Sequence, residues 1–377
     1  MKWVFWMAAA LVIYTYVGYA AWLRLRLLWR YRPVLRGASG ARVSIVMVVR
    51  NEEQVIGAKL QNLLSLDPVH EIVIVSDGST DGTESILRAH QATDGRLKLV
   101  LNEKSRGKAA GLNDALKVAR GEIVVFTDAR QKFESSAVHR LLENFADPDV
   151  GCASGELMLG DIEQGESSQG LGLYWRIEKL VREWEGASGS MVGATGAIYA
   201  ARRELLTVLP VGTILDDVYL PMEVVRRGKR AVFDGSARAW DHPDLGSDRE
   251  FARKVRTLTG NYQLMQLAPW LLSRENPILF EFVSHKLMRL IVPFALFALL
   301  VASMFLTGPL YRSAMIVQIA LYALSALALG GILKRGMLQH GALARIADAS
   351  GTFVLLNCAA VVALGNFLAG RKAAWSR

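Results

Sequence analysis

Residues 3–23 read WVFWMAAALVIYTYVGYAAWL, a run without a single charge. That is about the length a helix needs to cross the hydrocarbon core of a bilayer, roughly 20 residues. Arg24, Arg26, Arg30, Arg32 and Arg36 follow it directly. Three further apolar blocks, residues 287–306, 314–333 and 349–368, fill the C-terminal quarter of the 377-residue chain. The apolar share of 52% is concentrated in these blocks, so four membrane helices are expected around a polar middle. The division that follows is a membrane helix at 1–23, a basic linker at 24–40, a polar domain at 41–268, an interfacial segment at 269–286 and a membrane region at 287–377.

A cleaved export signal is the alternative for the first block, since GYAA offers small residues near its end. The run exceeds the roughly 7–15 apolar residues of such signals, and an arginine-rich mature start opposes export, so a retained helix is expected. The excess of arginine after the first block places that side, and with it the polar domain, in the cytoplasm of a plasma (inner) membrane protein. Lys334, Arg335 and Arg345 fall on the same side, whereas the tail RKAAWSR falls opposite, which leaves a re-entrant last block open. The net charge of +9 lies largely beside the membrane blocks, where it meets anionic lipid, and no nucleic acid is needed to explain it. With two cysteines, Cys152 and Cys358, neither a disulfide framework nor a zinc cluster is expected.

In the polar domain, VSIVMVV is a short β-branched run followed by NEEQVIGAKLQNLLSL, whose apolar residues recur at helical spacing. EIVIV with TESILRAH, LKLVL with KAAGLNDALKVA, and EIVVF with SAVHRLLENF repeat the alternation, and Gly121 reads as a helix stop. Strand-helix units in series predict an α/β fold, a mostly parallel sheet covered by helices. Ligands bind such sheets beyond the carboxyl ends of the strands. Arg50 and Glu52, the loop SDGSTDGT with Asp77 and Ser79, Arg106 and Lys108, and Asp128 all fall there. A glycine-serine-threonine loop ahead of a helix turns N–H groups toward phosphate oxygens, and Arg106 and Lys108 add positive charge. The first helix lacks the G-x-G-x-x-G turn, which argues against a dinucleotide-dependent dehydrogenase.

The order VSIVMVVRNEE, VSDGSTDGT, SRGKAAGLNDAL and FTDAR resembles the nucleotide-binding half of the family 2 glycosyltransferases. These are inverting enzymes of GT-A fold that include cellulose, chitin and hyaluronan synthases. GATGAIYAARREL and ILDDVYLPMEVVRRGKRAVFD resemble that family's acceptor loop and catalytic-base motif, so the resemblance covers residues 41–266. It implies that Asp77 binds the nucleotide base, commonly uracil, and that Asp128, first aspartate of D-x-D, faces the ribose and a metal-bound diphosphate. It also implies that Asp217 is the general base with Asp216 its acidic neighbour, and that Thr195 and Gly196 meet the acceptor. The residues support the base independently, because two adjacent carboxylates withdrawn from water push one pKa upward, although an acidic pair opening a helix is also favourable N-terminal charge. Mg2+ or Mn2+ is the implied cofactor.

Two positions depart from the pattern. The second aspartate of D-x-D is Arg130, which cannot ligate a metal but neutralises phosphate charge itself. His242, in AWDHP, is the candidate replacement ligand, with Asp241 and Asp244 beside it. The processive synthases' Q-x-x-R-W is here Arg253, Arg256 and Thr257, so only the arginine persists. Arg253 and Arg256 stand one helical turn apart, placed either to meet the diphosphate or to form a solvated face near lipid. His285, Lys286 and Arg289 read as anchors beside lipid or as contacts to a lipid-linked phosphate.

The leading expectation is a membrane glycosyltransferase that moves a sugar from a nucleotide donor, UDP-linked, to a lipid-linked or growing surface glycan. A processive β-glycan synthase that exports its product is the alternative, although four membrane helices are few for a channel unless a second subunit or an export partner completes it. A silent nucleotide-sugar-binding assembly protein is the reading from another class, motivated by Arg130 and opposed by the retained aspartate pair.

Overall fold

The computed structural model of the chain describes residues 1–161, 166–167, 173–241, 247–329 and 342–371. His242, Asp244, Lys334 and Arg335 lie outside these. The strands are β1 (Val43–Val49), β2 (Glu71–Asp77), β3 (Leu97–Asn102), β4 (Ile123–Phe126), β5 (Lys132–Phe133), β6 (Val150–Asp161), β7 (Glu166–Ser167), β8 (Tyr199–Arg202) and β9 (Arg230–Asp241). They order as β3-β2-β1-β4-β8-β6-β9-β5, with β7 on β6. Strands β3, β2, β1 and β4 run parallel, β8 is antiparallel to both β4 and β6, and β9 returns parallel to β6. This is the α/β sheet of a GT-A fold, extended by an antiparallel strand.

Alternation along β1 and β2 builds the two halves of the core. Ile45, Met47, Val49, Ile72 and Ile74 pack on the Glu53–Leu64 and Ala137–Glu143 helices, through Ile56, Leu60, Leu63, Val138 and Leu141. Val46, Val48, Val73 and Val75 face the other way, against Ala109, Leu112 and Ala115 of the Lys108–Val118 helix and Leu220 and Val224 of the Asp216–Arg226 helix. Because successive strand side chains point to opposite faces, a strand buried on both must be apolar throughout, as β1 is apart from Ser44.

Gly121 differs from expectation. The preceding helix ends at Val118 and its cap, Ala119, is extended. A Cβ on Gly121 would stand 2.5 Å from Ser44 N, so close approach to β1, not a left-handed cap, requires glycine there.

Among the described residues, four helices are long and apolar enough to cross a membrane: Lys2–Arg26, Leu279–Phe305, Pro309–Ala328 and Ala349–Leu368. The second begins at Leu279, inside the segment expected to be interfacial. Glu281 and His285 do not break it, because both are buried against polar partners from other elements. Arg345 lies within the Ala342–Leu368 helix, not between helices. Two of these spans contain a π-helical turn, Tyr14–Gly18 and Val283–Leu287.

Candidate active site

The carboxyl ends of β1, β2 and β3 are tied into one rim. Asn51, the only non-glycine residue with positive φ among those described, accepts the Thr80 N–H at 2.8 Å and donates its own N–H to Ser79 Oγ at 3.2 Å. Glu52 N donates to Thr83 Oγ1 at 2.8 Å. Gly78 adopts φ +66°, and a Cβ there would lie 2.6 Å from Ser105 N, so the β2 loop touches the β3 loop backbone to backbone. Asp77, fully buried, accepts N–H groups from Arg106 and Gly107 at 2.9 Å each and the Ser105 hydroxyl at 2.7 Å. Its carboxylate thus anchors residues 105–107 beside the site. The Arg106 guanidinium turns to Asp114 on the following helix.

That anchored loop launches Lys108 into the site. Its ammonium stands 2.9 Å from Asp128 Oδ1, at the end of β4, and 3.3 Å from Asp216 Oδ1, at the start of the Asp216–Arg226 helix. Burial would lower its pKa, but Asp128, Asp216 and Asp217 overcome this and hold it above the ordinary lysine value. Lys108 is therefore a permanent cation joining two segments far apart in sequence.

The aspartate pair divides its labour. Asp216 is buried, and burial together with the charges of Asp217 and Asp128 pushes its carboxyl up to about 6 against the pull of Lys108. The raised pKa expected of the pair thus sits on Asp216, because that carboxyl points into the protein. Asp217 is half-exposed and accepts the Gly196 N–H at 3.1 Å. A Cβ on Gly196 would lie 3.3 Å from Asp217 Oδ2 and 3.8 Å from Asp128 Oδ2, so the bare backbone here leaves both carboxylates open on one space. Thr195 N donates to Ser154 Oγ at 3.1 Å, fixing the strand of backbone that presents Gly196.

Asp128, Lys108, Asp216, Asp217, Thr195 and Gly196 converge. Arg50 and Glu52 lie at the end of β1 beside this rim. Arg130, half exposed, approaches Asp241 Oδ2 at 3.8 Å, and Gln131 Nε2 donates to the same oxygen at 2.8 Å. Arg253 and Arg256 lie on the Ser247–Leu267 helix and make no ion pair with the clustered carboxylates among the described residues. That helix nevertheless steadies the segment leading into the aspartate pair, since Gln263 accepts the Ile214 N–H at 2.9 Å and donates to Gly212 O at 2.9 Å, just ahead of Asp216.

Sequence reasoning missed Lys59. It is buried behind the D-A-R turn, where its ammonium donates to Thr127 Oγ1 at 2.8 Å and to the Gln131 carbonyl and lies over the Phe133 ring. Burial lowers its pKa to about 7, with Asp128 and Asp241 opposing. The signal was present: Lys59 falls on the apolar stripe formed by Ile56, Leu60 and Leu63, where a cation needs an internal partner.

No three His, Cys, Asp or Glu side chains among the described residues come together as a metal cage. His242, the candidate second ligand, lies outside those residues. Asp128, with 42% of its side chain exposed, suits a Mg2+ or Mn2+ ion held by one carboxylate and by phosphate oxygens.

Residues 44–208 match the family model described as Glycosyl transferase family 2, a match that ends before Asp216. A β-monoglucosyldiacylglycerol synthase of Synechocystis sp. is 35% identical over 128 residues, 32% of this chain and 27% of the relative. A poly-β-1,6-N-acetyl-D-glucosamine synthase of Staphylococcus aureus is 24% identical over 237 residues, 59% of this chain and 55% of the relative. The chain thus spans between about a quarter and about half of the length of these relatives. Among solved structures, the mannosyltransferase PcManGT from Pyrobaculum calidifontis, in complex with GDP-Man and Mn2+, aligns over 98% of this chain and 99% of its own. Its TM-score is 0.71 at 22% identity, a likeness of fold.

Proposed function

Because the chain belongs to the family 2 glycosyltransferases, we propose that it transfers a sugar from a nucleotide donor, UDP-linked, to a hydroxyl of a lipid-linked or growing glycan, with inversion. The catalytic domain works on the cytoplasmic face of the plasma (inner) membrane. The observation that carries this reading is Asp217, half-exposed, oriented by the Gly196 N–H, and sharing one open space with Asp128.

Asp217 takes the proton of the acceptor hydroxyl as its oxygen bonds to the anomeric carbon. The bond from that carbon to the diphosphate oxygen breaks, and its electron pair leaves with the nucleoside diphosphate. Lys108, held charged by three carboxylates, and Arg130, two residues after Asp128 in the chain, offset the negative charge that develops. A Mg2+ or Mn2+ ion, held by Asp128 when bound, supplies further charge neutralisation at the diphosphate. Arg50, Glu52 and Ser79 form the rim on which the nucleotide rests. Asp77 shapes it by anchoring residues 105–107. Arg253 and Arg256, one turn apart on the Ser247–Leu267 helix, add further positive charge for the same diphosphate. Thr257, where processive synthases have tryptophan, offers no ring for an acceptor sugar and bonds the Arg253 carbonyl instead, which supports single additions.

The test is nucleoside-diphosphate release by the lipid-embedded protein across a panel of nucleotide sugars, with Mn2+, with Mg2+ and with chelator, in the presence of membrane lipid extract. Asp217→Asn should lower turnover by about 10²–10⁴ while donor binding persists. Turnover unchanged in that variant sinks the assignment of the base. Donor binding by the parent without any turnover favours the silent reading.

A further inference from the structure

The paired register of β4 and β8 ends where Phe126 stands opposite Tyr199, their rings stacked at 4.4 Å. Beyond that pair the two strands carry different parts of the site. After Phe126 the chain enters the D-A-R turn with Asp128. Before Tyr199 comes a tight turn, closed by the Ile198 N–H on Thr195 O at 3.1 Å, and its Gly196 N–H holds Asp217. The donor-side carboxylate and the orienting group of the base thus sit on two neighbouring turns, and the geometry of transfer depends on what ties them.

The tie is a side chain. Thr127 Oγ1 lies 3.1 Å from Ala197 O and 3.3 Å from the local Asp128 O. Lys59, on the Glu53–Leu64 helix, donates to the same Oγ1 at 2.8 Å and to the Gln131 carbonyl. An ammonium carries donors and no acceptor, so the hydroxyl accepts from it and its single proton turns to Ala197 O, the nearer of the two carbonyls. One turn further along the helix, Asn62 accepts the Phe133 N–H at 2.8 Å and donates to Phe133 O at 2.9 Å. The helix therefore clamps residues 127–133 at both ends, with Asp128 and Arg130 between.

Lys59 and Thr127 are 2% and 4% exposed, so neither touches a bound substrate. Packing does not call for lysine here. Ile56, Leu60 and Leu63 share its stripe, and a buried charge is unfavourable where methionine would fill the same volume.

We propose that Lys59 is a positioning residue for the transfer step: through Thr127 it fixes the Thr195–Ile198 turn against the D-A-R turn, and with them the separation of Asp128 on the donor side from Asp217 on the acceptor side. This rests on the transferase reading of Asp217 and gives part of the rate to a residue that meets neither substrate. A shift of about 1 Å between reacting groups can cost about 10²-fold in rate, so loosening the tie lowers kcat and leaves donor binding nearly alone.

The test compares the lipid-embedded full chain with Lys59→Met, Thr127→Val and Thr127→Ser by kcat, by nucleoside-diphosphate affinity and by amide exchange of residues 195–198 read by mass spectrometry. Burial, opposed by Asp128 and Asp241, lowers the Lys59 pKa to about 7, so every arm is run at pH 6, where the ammonium is charged. In Lys59→Met and Thr127→Val, kcat should fall about 10- to 100-fold while nucleoside-diphosphate affinity stays within about threefold, which also shows that the variants are folded. Exchange at 195–198 should quicken about tenfold in both. Thr127→Ser should recover most of kcat, because the link needs only the hydroxyl. An unchanged kcat in Lys59→Met or Thr127→Val overturns the proposal, as does loss of kcat and affinity together. So does an active Thr127→Val beside an impaired Thr127→Ser, which would assign the role to the methyl group. Exchange is read without turnover: a parent that transfers no sugar counts against the transferase reading, while faster exchange in the variants leaves the tie between the two turns standing and unchanged exchange overturns it.

Discussion

Replacing Asp216 by asparagine is expected to stabilise the protein at pH 8 and to remove a gradient of stability in mild acid. Burial, with Asp217 and Asp128 adding to it and Lys108 opposing, moves the Asp216 carboxyl from the ordinary 3.8 to about 6. At about 1.4 kcal/mol for each unit of pKa, the ionised form is disfavoured by roughly 3 kcal/mol relative to the unfolded chain. The folded state therefore holds the extra proton between pH 4 and 6, and stability falls as pH rises through that window. Below about pH 4 the contribution is fully present, and above about pH 6 it is gone. Asparagine keeps the shape and an oxygen for Lys108 but loses attraction to its charge, so the net gain at pH 8 should be about 1–3 kcal/mol. Thermal unfolding of the detergent-solubilised chain at pH 4 to 8 measures it. Because other carboxylates titrate in the same range, the difference between parent and variant isolates Asp216. A variant that melts below the parent at pH 8, or a difference that stays flat from pH 4 to 6, refutes the reasoning.

Lys59→Met should alter a separate window. Burial depresses the Lys59 pKa from 10.5 to about 7, so the unfolded chain binds the extra proton above pH 7 and the parent gains stability toward pH 10. The variant should lack that rise, and identical melting curves over this range would dismiss the buried lysine as a titrating group. Gly78→Ala forces a side chain into φ +66° and against Ser105 N. It should cost about 1–3 kcal/mol in a denaturation experiment and weaken donor binding by shifting residues 105–107; a variant as stable as the parent contradicts the close approach of the two loops. Gly196→Ala places a methyl group 3.3 Å from Asp217 Oδ2 and in the space that Asp128 also faces. Turnover should fall with little change in melting temperature, and full activity would mean that the acceptor does not pass there.

Much of the sheet was legible because its signal is local. VSIVMVV, EIVIV, LKLVL and EIVVF appear as β1 to β4 within a residue or two, since a strand buried on both faces must be continuously apolar wherever it occurs. The clusters at the strand ends were legible for the same reason, because a parallel sheet brings its loops to one edge. The sequence also determined that Asp216 and Asp217 open a helix and that four apolar stretches could span a bilayer.

Which partner each charge takes was decided by the tertiary structure alone. Nothing near Lys108 in the chain announces Asp216, 108 positions away, yet the two share an ion pair because the Lys108–Val118 and Asp216–Arg226 helices start at the same edge. Nothing near His285 announces Glu178 and Glu185, which allow a membrane span to begin at Leu279 despite its charges. Periodicity is a property of neighbours along the chain. The desolvation and pairing that set a carboxylate's proton affinity or close Asp77 upon a loop depend on segments that meet only once the fold is formed.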